Sequence, residues 1–280
     1  MIIAELLKWA VKKVDVACEP SPHLSVEILL AYTLNQSRSF LHTHPQQIVS
    51  DSQEQQFKSY LARFLQGEPI AYVTGKREFW SLELKVTPDT LIPRQETELL
   101  VEFALKLLVN SPECLIADLG TGSGAVALAI AHERPAFQII ATDKSPAALS
   151  IAKHNAKNLN IQNIIFKEGS WCEALVGQDK FDLIISNPPY LDEEELHQAA
   201  RGLLYEPYLA LVANEKGLSE ICRIVYEAWN YLKKGGYLCI EHGQTQGEKV
   251  RSIFLEVGYN DIKTEYDLAG LERITWGRRG

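Results

Sequence analysis

The sequence predicts an α/β protein built on a mostly parallel, doubly wound sheet, with a small helical domain in front of it. Three observations carry this. From residue 114 onward short apolar runs recur with helix-length stretches between them. A glycine-rich loop directly follows the first of those runs, and the first 66 or so residues instead keep helical periodicity. Continuous apolar strands separated by helices indicate parallel pairing, because a right-handed crossover lays each helix on a face of the sheet.

Taken in order, Ile3, Leu6, Leu7, Ala10, Val11 and Val14 form the stripe of an amphipathic helix over residues 2 to 14. A second helix is predicted from Ser25 to Asn35, with Leu24, Ile28, Leu29 and Tyr32 as its apolar face. Asp51 is the expected cap of a third, which presents Phe57, Tyr60, Leu61, Phe64 and Leu65 before Gly67 stops it. The stretch EFWSLELKV then alternates at Leu82, Leu84 and Val86, and Pro88-Asp89 adds turn chemistry, so a hairpin connector is expected. Beyond a helix over Glu98 to Val109, the expected strands are 114–119, 138–143, 163–168, 181–186 and 237–242. The C-terminal stretch NDIKTEYDLAGLERITWGR has no room for a helix between its two apolar runs and reads as an antiparallel hairpin.

Composition narrows the function classes. At 280 residues the chain is long enough for two domains, and 46% hydrophobic with 23% charged residues is ordinary for a folded soluble protein. Lys and Arg number 28 against 36 Asp and Glu, a net charge of −8. An acidic whole provides no field for tracking a nucleic acid duplex. Cys18, Cys114, Cys172, Cys222 and Cys239 are odd in number and form no CxxC pair, which predicts buried reduced thiols and a cytoplasmic location. Glu5 and Lys8 interrupt the N-terminal apolar stretch, and no apolar run approaches the length of a membrane span.

The first predicted strand, 114–119, carries Asp118 near its end and runs into Gly120-Thr121-Gly122-Ser123-Gly124, with a helix starting at once. Three glycines at alternate positions let the backbone turn sharply and approach a ligand at the carboxyl end of a strand. The spacing also satisfies a dinucleotide fingerprint, so the loop alone does not choose its ligand. Asp118 favours S-adenosylmethionine, whose ammonium and sulfonium an acidic loop can accept, over a pyrophosphate. Asp143 ends the next strand, where a carboxylate can take the ribose hydroxyls of either cofactor. Trp171 reads equally as core, as lid or as a neighbour of an adenine ring.

After the strand FDLIIS comes Asn187-Pro188-Pro189-Tyr190. Two prolines cannot continue a strand and fix φ, so this corner is stiff and presents Asn187 and Tyr190 beside the glycine loop. Such a corner suits a planar nitrogen with a delocalised lone pair. Hydrogen bonds from its NH₂ to the Asn187 side-chain oxygen and the Pro188 carbonyl would orient it, with the Tyr190 ring packed on its plane. Other chemistries lack their signatures: there is no nucleophile elbow, Walker A or HExxH sequence, and His42 and His44 read as a solvated pair in a loop rather than metal ligands. The acidic run Asp192 to Glu195 reads as a solvated face or helix start, with the border of a substrate channel as the lesser alternative.

Together with the glycine loop and NPPY, the stretch GEPIAYVTGKREFWSLELKVTPDTLIPRQETE resembles the peptide-chain release factor N(5)-glutamine methyltransferases over nearly the whole chain. NPPY alone is shared with amino-methyltransferases of adenine and guanine, which is the alternative function; the IPR-x-ETE segment is far more specific. The resemblance implies a helical substrate-binding domain (1–75), a β-hairpin linker (76–95) and a seven-stranded, Rossmann-like class I methyltransferase domain (96–280). It implies S-adenosyl-L-methionine as methyl donor, S-adenosyl-L-homocysteine as product and no metal. The implied acceptor is the glutamine of the Gly-Gly-Gln motif in class I release factors, with no membrane or nucleic acid partner. Gly120, Thr121, Gly122, Ser123, Gly124, Asp143, Trp171 and Asn187 would contact the donor. Asn187, Pro188, Pro189 and Tyr190 would hold the glutamine, with Asn187, Pro188 and Tyr190 catalytic. Gln95, His242 and Leu271-Glu272 depart from the family pattern.

Overall fold

A computed structural model describes residues 1–14, 21–198 and 201–280, so the Cys18 expectation lies outside the described residues. The chain forms two compact units, Met1–Gly75 and Lys76–Gly280.

The first unit packs helices Ile3–Val11, Pro22–Leu34, Arg38–Thr43, Asp51–Leu65 and Ile70–Thr74 around Leu6, Leu29, Leu30, Phe57 and Leu61. Pro22–Leu34 corrects the predicted face: Leu24 and Tyr32 are exposed, whereas Ser25, Val26, Leu29, Leu30 and Ala31 are buried. This helix touches all four others, and a helix flanked on several sides buries more than one stripe. The third predicted helix is capped by Ser50 rather than Asp51. Ser50 and Gln53 bond each other's backbone N–H in a capping box, which an S-x-x-Q spacing favours. His42 lies on the short helix Arg38–Thr43 instead of in a loop and stands 3.3 Å from Glu27.

In the second unit β1 (Lys76–Phe79) and β2 (Leu82–Lys85) pair as a hairpin turned by Trp80 and Ser81, both with φ above +50°. Phe79, Leu82 and Leu84 enter the main core of this unit. The large sheet holds β3 (Leu115–Leu119), β4 (Gln138–Asp143), β5 (Ile164–Glu168), β6 (Phe181–Ser186), β7 (Leu232–Glu241), β8 (Asn260–Tyr266) and β9 (Glu272–Arg278), ordered β5-β4-β3-β6-β7-β9-β8. The first five strands in that order run parallel, and β9 and β8 close the sheet antiparallel, as the helix-free spacing predicted. Strand residues alternate between two cores. Ile116, Leu183 and Ile185 face one, and Ala117, Leu119 and Ile184 face the other, so the sheet is covered on both sides. β7 starts five residues earlier than expected because Leu232 pairs with Phe181 ahead of a bulge.

Strand order reverses between β3 and β6. Crossovers lead from β3 outward through β4 and β5, and from β6 outward through β7, which opens a crevice at the shared carboxyl edge. Asp118, Asp143 and Asn187 all lie at that edge.

Candidate active site

A cleft of about 570 Å³ occupies the crevice, lined by Gly120, Gly122, Asp143, Trp171, Asn187 and Pro189 among others. A smaller recess opens from it, walled by Asp118, Thr121, Ser123, Arg94 and Thr97. A larger polar hollow of about 710 Å³ sits under the β1–β2 hairpin, but it shares no residue with the glycine loop or the NPPY corner. Chemistry, not size, therefore selects the crevice.

The loop is held from beneath. Gly120 and Thr121 N–H groups donate to the Thr142 carbonyl at 2.9 and 2.8 Å, and the Thr121 hydroxyl donates to Asp118 Oδ2 at 2.6 Å. Gly120 has φ +74°, and a Cβ there would stand 2.9 Å from the Trp171 ring, so only glycine lets the indole close against the loop. A Cβ at Gly122 would meet nothing within 4 Å, because that position faces the open cleft. Gly124 lines neither space and packs on Leu128 and Ala152. Asn155, buried behind the loop, donates to the Ser123 and Lys85 carbonyls and so ties loop to hairpin.

Asp143 accepts Gly122 N–H at Oδ2 and Ser145 N–H at Oδ1, both at 2.9 Å, which fixes its carboxylate on the cleft wall. Ser145, not Asp143, caps the helix Pro146–Asn158. Trp171 is 9% exposed with φ +46°, and its Nε1 donates to Glu220 Oε2 at 2.5 Å. A bulky residue held in the left-handed region at a cleft marks a site where surrounding contacts override local preference.

Asp118 is 2% exposed, and burial pushes its carboxyl up to about 6 against the Thr121 and Ala127 hydrogen bonds that lower it. Its charged form therefore dominates above that pH. A cationic ligand in the adjoining recess should bind more tightly as pH rises through about 6. We expect Asp118→Asn to remove this dependence and weaken S-adenosylmethionine binding by about an order of magnitude at pH 8. Equilibrium titrations from pH 5 to pH 8 check it, and an unchanged slope in the variant would exclude Asp118 as the source.

The NPPY corner divides its work. Asn187 and Pro189 line the cleft, and Pro188 is buried beside them. Tyr190 is not among the lining residues: its ring packs against the core that holds Ile184 and Ile240, and its hydroxyl reaches Glu241 at 3.4 Å. Asn187 Nδ2 donates to Thr97 Oγ1 at 3.1 Å, which leaves Oδ1 as the free acceptor. Thr97, Glu206, Glu220 and Glu241 are site residues that sequence reasoning missed. Glu206 accepts Ile92 N–H and the Arg94 guanidinium, so the IPR segment is clasped to the stretch that supplies Pro207, Tyr208 and Leu209 to the cleft. The ETE spacing was the one available signal for Thr97. Asp192 and Glu195 cap the helix Glu193–Gln198 reciprocally, so the acidic run starts a helix.

The departures from the pattern are absorbed locally. His242 is fully buried between the Thr275 hydroxyl at 2.8 Å and the Gly243 carbonyl at 2.9 Å, and burial lowers its pKa. Glu272 pairs with Arg251, and Gln95 is exposed. Cys114, Cys172 and Cys239 are buried free thiols, and Cys222 is half-buried. Among the described residues no helix is long and apolar enough to cross a membrane, and no cluster of three or more His, Cys, Asp or Glu could hold a metal.

The chain has relatives in sequence and in fold. Residues 5–75 match the PrmC N-terminal domain, and residues 110–266 match a methyltransferase domain. The release factor glutamine methyltransferase of Aliivibrio fischeri is 46% identical over 99% of this chain and 97% of its own. Those of Coxiella burnetii (50%, covering 93% of each chain) and Escherichia coli (47%, covering 92% of each) are similar. Among solved structures, the hMettl16 catalytic domain with an RNA hairpin aligns at TM-score 0.62 and 13% identity over 89% of this chain and 90% of its own. A Pyrococcus furiosus methyltransferase aligns at 0.53 and 16% over 80% and 99%. Those two likenesses are of fold.

Proposed function

Because the chain belongs to the release factor glutamine methyltransferase family, we propose that it methylates the side-chain nitrogen of the glutamine in the Gly-Gly-Gln motif of class I release factors, and so acts in translation termination. It is an S-adenosylmethionine-dependent methyltransferase. The observation that carries the proposal is the meeting of Asn187 and the glycine loop on one cleft wall, with the Asn187 acceptor oxygen free.

The site fits such a donor. Gly122 leaves open space, Asp143 offers anchored carboxylate oxygens for hydroxyl groups, and Trp171 supplies a flat apolar wall over Gly120. The cleft volume lies in the range that encloses a nucleoside-sized ligand. When bound, the donor supplies an electrophilic methyl group on a sulfonium that is already a good leaving group. An amide nitrogen is a poor nucleophile because its lone pair is shared with the carbonyl. Asn187 Oδ1 and the Pro188 carbonyl would accept its two N–H groups, turning the nitrogen toward the donor and raising its electron density. Two prolines hold both acceptors still, so orientation rather than a strong base is the catalytic device.

The helical unit Met1–Gly75 would help grip the protein substrate, with release factors and the cytoplasm as partner and location. Incubating the protein with labelled donor and a release factor, then locating the methyl group by mass spectrometry, tests the reading. One added methyl on the Gly-Gly-Gln glutamine is expected. Label in nucleic acid and none in the release factor would overturn it.

A further inference from the structure

Resting on the donor placement proposed above, we infer that Glu220 is a positioning residue for the methyl donor: it holds the Trp171 indole against the glycine loop before any ligand arrives, and so sets donor affinity rather than turnover. Trp171 has no local reason to stand where it does. Its φ of +46° lies in the left-handed region, which disfavours a bulky side chain, so contacts from elsewhere must keep it there.

The indole is held at both edges. Its six-membered ring meets the glycine loop, where a Cβ at Gly120 would stand 2.9 Å from Trp171 Cζ3 and 3.5 Å from Cη2. Nε1 lies on the opposite edge of an indole, and it donates to Glu220 Oε2 at 2.5 Å. Glu220 sits in the first turn of the helix Ser219–Ala228, whose buried residues Ile221, Ile224, Val225 and Ala228 share a core with Trp171. Three positions on, Arg223 of the same helix donates from Nη1 to Ser170 Oγ at 3.2 Å and from Nη2 to Glu173 Oε1 at 2.7 Å. One core-anchored helix therefore grips the indole and the chain on both sides of it.

A buried indole N–H needs an acceptor, and a backbone carbonyl or a water would satisfy it. A half-buried carboxylate is a costlier choice than either, and what it adds is an acceptor fixed by the core. The consequence lies in the cleft, where Trp171 is a wall residue with Gly120, Gly122 and Asp143. A released indole would regain rotamers, and a ligand that needs the wall would have to order it on binding, which weakens affinity. Asn187 takes its support from Thr97 instead, so alignment of the acceptor does not pass through Glu220.

Calorimetric titration of S-adenosylmethionine into Glu220→Ala, Glu220→Gln, Trp171→Phe and the double variant Glu220→Ala with Trp171→Phe tests this, with thermal melting as the folding control. Glu220→Ala is expected to raise donor Kd about tenfold, the cost of ordering one side chain, with kcat at saturating donor within about twofold. Glu220→Gln keeps an acceptor oxygen and should bring Kd back to within about threefold of wild type. Phenylalanine has no N–H, so Glu220→Ala should change nothing further in the Trp171→Phe background. A Kd for Glu220→Ala within about twofold of wild type, or an equal loss in both backgrounds, would overturn the inference. Glu220→Met, which fills the same space without an oxygen, repeats the comparison where the alanine variant fails to melt cooperatively.

The indole N–H resonances supply a readout that needs neither donor nor acceptor. The Trp171 signal, assigned by its loss in Trp171→Phe, should be protected from exchange with water in the wild type and in Glu220→Gln and lose that protection in Glu220→Ala. Equal protection in Glu220→Ala would overturn the inference. A wild type that binds donor but leaves release factor unmethylated would reject the functional reading alone, and the titrations and resonances would still decide the role of Glu220.

Discussion

Asn187→Ala is expected to lower kcat by on the order of 10³-fold while leaving S-adenosylmethionine affinity within about twofold. The asparagine is the side chain of the NPPY corner that presents a free acceptor to the cleft, and its Nδ2 is already engaged by Thr97. Truncation removes the group proposed to orient the acceptor nitrogen. It leaves Gly122, Asp143 and Trp171, the cleft residues proposed to meet the donor, in place. Single-turnover rates with preloaded donor separate the chemical step from binding. A variant that turned over at the wild-type rate would show that the corner does not align the nucleophile.

Gly217→Ala is expected to destabilise the second unit by about 3 kcal/mol or more. Gly217 has φ +78° and follows Glu215 and Lys216, which also lie in the left-handed region. An added Cβ would sit 1.9 Å from the Tyr190 carbonyl oxygen and 2.7 Å from Gln246 Nε2. That oxygen accepts the Gln246 amide at 2.9 Å, and the same amide donates to the Lys216 carbonyl at 3.1 Å. A left-handed alanine costs about 1–2 kcal/mol and overpacking about 1–3 more. A loss of about 3 kcal/mol corresponds to a drop in Tm of roughly 6–12 °C for a unit of this size. Because the clash pushes on Tyr190, kcat should fall as well. A melt within about 2 °C of wild type together with unchanged kcat would contradict the tight seating of the corner.

Both positions bear on what could be read in advance. Asn187 was legible because a diproline after an apolar strand is a local feature with a local consequence. Gly217 was not, since nothing near it in sequence reveals that Tyr190 would close over it. The pattern repeats in the helical unit. The stripe of Ile3–Val11 was readable because one face of that helix is buried, and the face of Pro22–Leu34 was not, because four helices surround it. Tyr190 was placed on the acceptor by its position in NPPY, whereas the fold turns its hydroxyl inward to a carboxylate 51 positions away.

Periodicity, turn residues and glycine spacing are properties of neighbouring positions, and they determined the succession of strands along the chain, the glycine loop, Asp143 at the end of β4 and the stiff corner after β6. Which distant side chains meet was decided only when the sheet formed. Thr97 lies 90 positions before Asn187, and Glu220 lies 49 after Trp171. Burial in a shared interior gives such pairs their energetic weight, and no local pattern encodes which groups will share it.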